Sequence, residues 1–256
     1  MDDLNQAIAH WRTTDAILAD LAAETEIPDR LQPAAEDPFR TLVRAIVGQQ
    51  VSIAAAQTIY DRLAAATGPT PERILATAEP ELRACGLSGA KAASVRDLAE
   101  HVLDGRLDLS GLADLGDEEA IAALVQVRGI GVWSAKMHLM FHLDRPDVCP
   151  WEDLGVRMGV ERFYGIPEKE AAAWLKQHHT AWSPYNASQR VCCGLLGGIH
   201  EDLGRAAAGP VPATSARRAP RAARLVEHLD PRQEGIQPTP GDGALGRKDP
   251  RPVVTA

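Results

Sequence analysis

Residues 124–141, LVQVRGIGVWSAKMHLMF, constrain the fold more than any other part of the chain. The stretch looks helical on both sides of Gly129 and Gly131, and glycine permits the positive φ angles of a tight turn. It therefore predicts two helices joined by a hairpin, the second starting near Val132. The first N–H groups of that helix would favour a phosphate without any basic side chain. An ordinary connection between two helices explains GIG equally well.

The rest of the body also favours helices. Alanine and leucine dominate, β-branched runs are scarce and no alternating strand pattern competes, so the predicted fold is all-α. Capping residues such as Ser52, Ser88 and Asp117 mark helix starts. The predicted helices are residues 4–21, 38–48, 52–67, one from 71, 88–105, one from 117 into the hairpin, one from 132, and about 153–163, 168–180 and 184–200, with a short turn at 80–86.

The last part of the chain differs in composition from the rest. Residues 205–256 hold eight of the 18 prolines and no aromatic residue, which predicts a disordered tail after a domain spanning residues 1–204. The tail has nine Arg or Lys and five acids, a net +4, so the chain's −8 leaves −12 for the body. An acidic body argues against DNA binding through general electrostatics. Any contact with nucleic acid would depend on local geometry.

Targeting, membrane and metal signals are missing from the sequence pattern. The N-terminus MDDLNQAIAHWR is acidic and unlike a signal peptide, and no run of about 18 apolar residues occurs, so we expect a soluble, cytoplasmic protein. We also expect a monomer, although the sequence does not determine the oligomeric state. Cys85, Cys149, Cys192 and Cys193 lack metal-type spacing, which argues against zinc and an iron–sulfur cluster. The histidines lack it too. Those expected at the surface include His138, His142, His178 and His179.

Longer segments around the hairpin resemble the helix-hairpin-helix DNA glycosylases, in particular their alkylpurine branch (3-methyladenine glycosylase II, AlkA-type). VRGIGVWSAKMHLMFHLDRPDVCPWEDLGVRMGV is similar to the family's Leu-Pro-Gly-Ile-Gly-x-Trp-Thr-Ala hairpin and its following Asp-Asp-Leu-Gly-x-Arg segment. PFRTLVRAIVGQQVSIAAAQTIYDRL resembles a Gly-Gln-Gln-Val-Ser region, CGLSGAKAASVRDLAEHVLDGRLDL the segment between, and WSPYN a Trp-x-Pro-Tyr near the last helix. The likeness covers roughly residues 1–200. It implies two helical lobes with the active site in the cleft between them, no N-terminal β domain, and damaged double-stranded DNA as the partner.

The resemblance implies that Asp153 is the catalytic residue, because the following LGVR matches the family segment. Breaking an N-glycosidic bond builds positive charge on the deoxyribose, and a fixed carboxylate stabilises that charge and orients the attacking water. Asp153 also fits the N-cap of the next helix, and the two roles are compatible.

Trp133 stands where bifunctional relatives carry a Schiff-base lysine, so the resemblance implies base excision without strand cleavage. With Trp151 and Met137 it is expected to line the base pocket, where an indole face suits a positively charged alkylated purine. Ordinary core packing is the alternative for Trp133. Lys136, one turn later, is expected at the surface rather than as a substitute nucleophile.

Gln50, with Gln49 beside it, matches a side chain that wedges into the duplex where the target nucleotide leaves; helix capping by the amide is the alternative. The hairpin is expected to hold a DNA phosphate through Arg128, Gly129, Ile130, Gly131 and Ser134. The resemblance also implies a monovalent cation on the main-chain carbonyls of Val125, Val127 and Ile130, and a structural role for Arg157.

Some positions depart from the family pattern and leave the substrate open. Arg128 replaces a proline, Trp151 a small apolar residue, and Val191 and Cys192 stand where relatives place Trp-Tyr against the base. The leading prediction is a monofunctional glycosylase for alkylated purines. The alternatives are the same fold acting on deaminated or oxidised purines or uracil, a catalytically silent DNA-binding protein, and a helical scaffold unrelated to DNA.

Overall fold

The computed structural model describes residues 2–24 and 37–185, and within these ranges the chain is helical, without a β-strand. The all-α prediction is therefore confirmed. The α-helices are α1 (Asp2–Thr14), α2 (Ala16–Glu24), α3 (Pro38–Gly48), α4 (Ile53–Thr67), α5 (Pro71–Ala76), α6 (Glu79–Ala84), α7 (Gly89–Leu103), α8 (Asp117–Leu124), α9 (Val132–Phe141), α10 (Leu154–Tyr164) and α11 (Glu168–His178), with 3-10 turns at Gly111–Asp114 and His179–Ala181. No helix in the described ranges is long and apolar enough to cross a membrane.

Capping side chains set several helix starts where the sequence predicted them. Ser52 accepts a hydrogen bond from the N–H of Ala55 at 3.3 Å, and Ser88 accepts one from the N–H of Lys91 at 3.2 Å. Each bond satisfies an N–H that has no partner within its own helix. The hairpin also ends where predicted, because α9 begins at Val132.

Three predicted elements differ from the structure. The single helix expected over residues 4–21 is two helices, because the Asp15 carboxylate accepts the Leu18 N–H at 3.0 Å and starts α2. The turn expected at 80–86 is helix α6. Asp117 is the first residue of α8 rather than its cap; the cap is Gly116, whose N–H donates to the Glu119 carboxylate at 3.1 Å. The tail, and the predicted helix 184–200 beyond Tyr185, lie outside the described residues.

Helix α7 organises the first group of helices. It packs against α3, α5 and α6, while α3 also packs against α4 and α9. Their apolar faces meet through side chains with almost no exposed surface, among them Ile46, Leu63 and Leu98. Burying such a side chain contributes about 1.5–3 kcal/mol, so this packing holds α3 in place against α4 and α7.

A second group joins the two ends of the described chain. The Asp15 carboxylate accepts hydrogen bonds from the Tyr164 hydroxyl and the Trp182 indole N–H, each at 2.8 Å. Trp11 is fully buried beside them, and α10 packs against α11. Helix α9 touches both groups, because it packs on α3 and its Lys136 contacts the loop that leads to α10.

Candidate active site

The hairpin between α8 and α9 is pinned to α7. Gly129 has φ +82°, and a Cβ at this position would lie 2.5 Å from the Ser94 Oγ, so both conformation and space require glycine. The Arg128 N–H donates to Asp97 Oδ2 at 2.7 Å. Ile130 is buried beneath the turn. These contacts fix the hairpin on the fold.

Gly131 is different, because the protein itself does not require a glycine there. Its backbone is extended (φ −92°, ψ 173°), and a Cβ would meet nothing within 4 Å. The residue is exposed at the start of α9, as is Arg128 in the turn. Ser134, expected beside the phosphate, is only 9% exposed and faces the cavity described below instead. Gly131 therefore leaves open space at a helix N-terminus, the kind of place where a phosphate can approach the backbone.

The carbonyls expected to hold a monovalent cation lie in the same turn. The Val127 carbonyl accepts the Ile130 N–H at 3.1 Å, which uses one of its two lone pairs. The remaining lone pair is compatible with a cation shared with Val125 and Ile130, and the cation site stays a prediction. Among residues 2–24 and 37–185, no group of three or more His, Cys, Asp or Glu side chains is arranged to hold a metal ion.

Asp153 caps α10 and also meets Trp133. Its Oδ1 accepts the Val156 N–H at 2.9 Å, and its Oδ2 accepts the Trp133 indole N–H at 2.8 Å. Both carboxylate oxygens are therefore oriented by donors. The predicted N-cap is confirmed, and it leaves the catalytic role of Asp153 as a compatible prediction. Trp133 is 44% exposed, so it is not an ordinary core residue.

Lys136 is buried, so the prediction of a surface residue is wrong. Only 4% of Lys136 is exposed, and its Nζ lies 2.9 Å from both the Cys149 carbonyl and Glu152 Oε2. The same Nζ sits 3.2 Å from the centre of the Trp151 ring. Burial lowers the pKa of Lys136, while the hydrogen bond and charge of Glu152 oppose that shift. The ammonium thus fastens the loop immediately before Asp153 to α9.

A cavity of about 620 Å³ lies between α3 and α9. Its lining residues include no Asp, Glu, Lys or Arg. Two of the residues expected in the base pocket, Trp133 and Met137, line it, whereas Trp151 does not. The Trp151 ring instead contacts Lys136 and the His179 ring. The cavity is also lined by residues that were not predicted from the sequence: Thr41, Ala45, Gly48, His138, Phe141 and His142.

His138 is the second residue wrongly expected at the surface. It is 5% exposed, lines the cavity, and stacks on His142 with ring centres 4.7 Å apart. Burial, with a smaller contribution from His142, lowers the pKa of His138 to about 4. His178 and His179 are partly buried as well. The i, i+4 spacing of His138 and His142 beside Met137 was the signal in the sequence.

The two glutamines after α3 have separate positions. Gln49 donates its side-chain amide to the Gly129 carbonyl at 2.8 Å, which ties this loop to the hairpin. Gln50 is exposed in a left-handed conformation (φ +56°) at the edge of the cavity. Neither side chain is recorded capping a helix; Ser52 caps α4. Arg157, predicted to be structural, pairs with Glu168 at 3.0 Å and links α10 to α11.

Asp153 does not itself line the cavity but is hydrogen-bonded to Trp133, which does. The all-α fold, the glycine hairpin and a carboxylate held in this way define a class of DNA repair protein. The chain belongs to the HhH-GPD superfamily of base excision DNA repair proteins, which matches residues 43–184. It is 32% identical to DNA-3-methyladenine glycosylase 1 of Schizosaccharomyces pombe over 158 residues, which are 60% of this chain and 69% of the relative.

Solved structures agree with this assignment. A DNA-3-methyladenine glycosidase from Bacillus halodurans superimposes with a TM-score of 0.66 at 32% identity, over 76% of this chain and 88% of that one. The 3-methyladenine DNA glycosylase of S. pombe in complex with abasic DNA gives a TM-score of 0.63 at 29% identity, over 75% of this chain and 95% of that one.

Proposed function

We propose that this protein is a monofunctional DNA glycosylase that removes alkylated purines of the 3-methyladenine type from double-stranded DNA. The observation that carries the proposal is the 2.8 Å hydrogen bond to the Asp153 carboxylate from the indole of Trp133, which lines a cavity of about 620 Å³. That volume lies within the range of about 300–1,000 Å³ typical of small-molecule sites, and it has room for a purine rotated out of the helix. The relatives named as 3-methyladenine glycosylases support the substrate class.

Asp153 supplies the electrostatic part of the reaction. Its two oxygens are held by the Val156 and Trp133 N–H groups, so the carboxylate keeps one orientation before the substrate arrives. As the base leaves, positive charge develops on the deoxyribose ring, and a fixed anion lowers the energy of that state without reorganising. The carboxylate then orients the water that attacks the sugar. The base departs with the bonding electron pair, and the abasic DNA strand stays intact.

Strand cleavage would need an amine nucleophile, and the neighbouring lysine is unsuited to that role. Lys136 is buried and held by Glu152 and the Cys149 carbonyl, on the side of α9 that contacts the loop before Asp153. Trp133 occupies the family's lysine position, so it offers an aromatic face instead of an amine.

The DNA contacts follow from the exposed residues around the cavity. The open backbone at Gly131 and the exposed Arg128 face outward from the hairpin, where a phosphate would bind. Gln50 lies at the edge of the cavity, where a wedge would fill the space left by the flipped nucleotide. An acidic protein can bind DNA in this way because these contacts use backbone N–H groups more than lysines.

The test is release of free base from methylated duplex DNA, compared between wild type and Asp153→Asn. Asparagine can still cap α10, so the fold is expected to persist, while excision falls on the order of a hundredfold or more. Glu161→Gln is the matched control, because Glu161 is an exposed carboxylate on the same helix. Equal release by wild type and Asp153→Asn would refute the catalytic role. Alkali treatment reports the abasic sites, and strand breaks without it would contradict monofunctional excision.

The remaining alternatives are separated by a panel of single-lesion oligonucleotides. Release of hypoxanthine, 8-oxoguanine or uracil, without release of alkylated purines, would move the substrate to another damaged base. Tight binding to abasic DNA with no release of any base would identify a silent DNA-binding protein.

A further inference from the structure

His138 is a buried side chain whose polar atoms are unsatisfied. It is 5% exposed, and neither Nδ1 nor Nε2 has a hydrogen-bond partner among the residues that the structure describes. Leaving a buried polar group unpaired is unfavourable, and buried polar atoms in folded proteins almost always find a partner. An unpaired polar side chain on a cavity wall therefore points to a ligand as the missing partner.

The surroundings of His138 match a site for a flat, polar base. The ring stacks on His142 with an interplanar angle of 23°, which fixes its orientation on the wall. Met137 and Phe141, its neighbours on α9, line the same cavity and offer only apolar or aromatic surface. On this wall, formed by α9 and its C-cap residue His142, the other hydrogen-bonding side chains belong to Trp133, Ser134 and His142 itself. The Trp133 N–H is already engaged by Asp153.

The ionisation state of His138 suits recognition of a base rather than catalysis of its departure. Burial lowers its pKa to about 4, so the imidazole is neutral at pH 7. A neutral imidazole has one N–H donor and one bare nitrogen acceptor, and it does not repel a positively charged alkylated purine. A protonated imidazole at the same place would repel such a purine.

We propose that His138 forms a hydrogen bond with the polar edge of the purine held in the cavity, and is a specificity-determining residue of the site. This inference rests on the proposed function. Within the class of alkylated purines, the site favours those that have a nitrogen or oxygen on the edge facing α9, because these gain one hydrogen bond. Bases that lack this atom bind as if the histidine were absent.

A binding cycle tests the proposal without relying on turnover. The probes are DNA duplexes with 7-methylguanine, a cationic alkylated purine, on a 2′-fluorinated sugar that resists hydrolysis. Three edited probes lack O6, lack the 2-amino group, or carry CH in place of N1. Dissociation constants are measured for wild type and His138→Phe, which keeps a ring on the wall but removes both nitrogens. We expect wild type to bind one edited probe roughly fivefold more weakly than the parent, the usual size of one neutral hydrogen bond.

His138→Phe should bind the parent probe as weakly as wild type binds that edited probe, and should no longer distinguish the two, so the changes are non-additive. The proposal is overturned when His138→Phe keeps the wild-type discrimination, when no edited probe binds differently, or when wild type does not prefer the parent probe to undamaged DNA. Failure of the proposed function gives a different result, namely no base release from unfluorinated methylated DNA.

Two further measurements separate recognition from structural support. Met137→Leu alters the same wall without removing a polar atom, so it should change all probe affinities alike. His138→Phe removes a buried unpaired polar group, so its melting temperature should equal or exceed that of wild type. A melting temperature several degrees lower, with unchanged discrimination, would assign His138 a structural role. Should His138→Phe fail to fold, His138→Leu replaces it in the same cycle.

Discussion

Trp133 and Asp153 are joined by a 2.8 Å hydrogen bond that connects α9, on the cavity wall, to the N-cap of α10. The residues are 20 positions apart, and the bond sets the direction of the carboxylate oxygen nearest the cavity-lining indole. Under the proposed function, this bond lets Trp133 orient the carboxylate that we propose to be catalytic.

Replacing Trp133 by phenylalanine tests this coupling. The ring remains for stacking, but Asp153 Oδ2 loses its donor. Because hydrogen bonds to charged groups are worth about 1.5–3 kcal/mol, single-turnover excision should slow by roughly tenfold or more. Affinity for abasic DNA should change little in a gel-shift or anisotropy assay. An unchanged excision rate would show that the cap bond from Val156 alone orients the carboxylate.

The hairpin glycines provide a matched pair of variants. Gly129→Ala combines a positive φ with a 2.5 Å approach to Ser94 Oγ, so it should lower stability by about 1–3 kcal/mol. Gly131→Ala meets no protein atom within 4 Å and should leave the melting temperature unchanged. It places a methyl group where a phosphate would approach, so DNA affinity should fall. If Gly131→Ala binds DNA like wild type, phosphate does not approach the backbone there.

Lys136→Met should destabilise the loop before Asp153. Removing the ammonium leaves Glu152 without its buried partner, and breaking such pairs costs about 3–5 kcal/mol when both groups are buried. Glu152 keeps 31% exposure, so we expect the lower part of that range, measured by urea unfolding. The double variant Lys136→Met/Glu152→Gln should recover much of the loss. Additive losses in the double variant would show that the ion pair is not the source.

The protein should become less stable as the pH is lowered, because the buried His138 imidazole resists protonation. The pKa of His138 is about 4 in the folded state against 6.5 in an exposed histidine, so the unfolded chain binds the proton first. The free energy of unfolding of wild type is therefore at its full value above about pH 6.5. It falls progressively as pH drops towards 4, by roughly 3 kcal/mol in total. His138→Phe should flatten this part of the stability–pH curve. If the stability–pH curves of wild type and His138→Phe run parallel, His138 is not the cause of the loss of stability at low pH.

Features of the fold that depend on neighbouring residues were predicted well from the sequence. Features that depend on contacts between distant residues were not. Ser52 and Gly129 act through neighbours in sequence or through backbone conformation, so their roles can be predicted from the local sequence. Asp15 ends α1 while it accepts a hydrogen bond from Tyr164, 149 positions away, which no local pattern contains. Lys136 was misjudged because its partners belong to a loop 13 to 16 residues later. His138 was misjudged because the cavity it lines also needs α3.

The bond between the Gln49 amide and the Gly129 carbonyl has a mechanical consequence. It joins the loop that carries Gln50 to the turn that presents Gly131. Under the proposed function, the bond sets the spacing between the residue proposed to enter the duplex and the residue proposed to meet a phosphate before DNA binds. Binding to DNA costs less conformational entropy when the loop with Gln50 and the turn with Gly131 already have a fixed spacing. Replacing Gln49 would therefore be expected to weaken DNA binding by releasing this spacing, because the Gln49 amide contacts the hairpin.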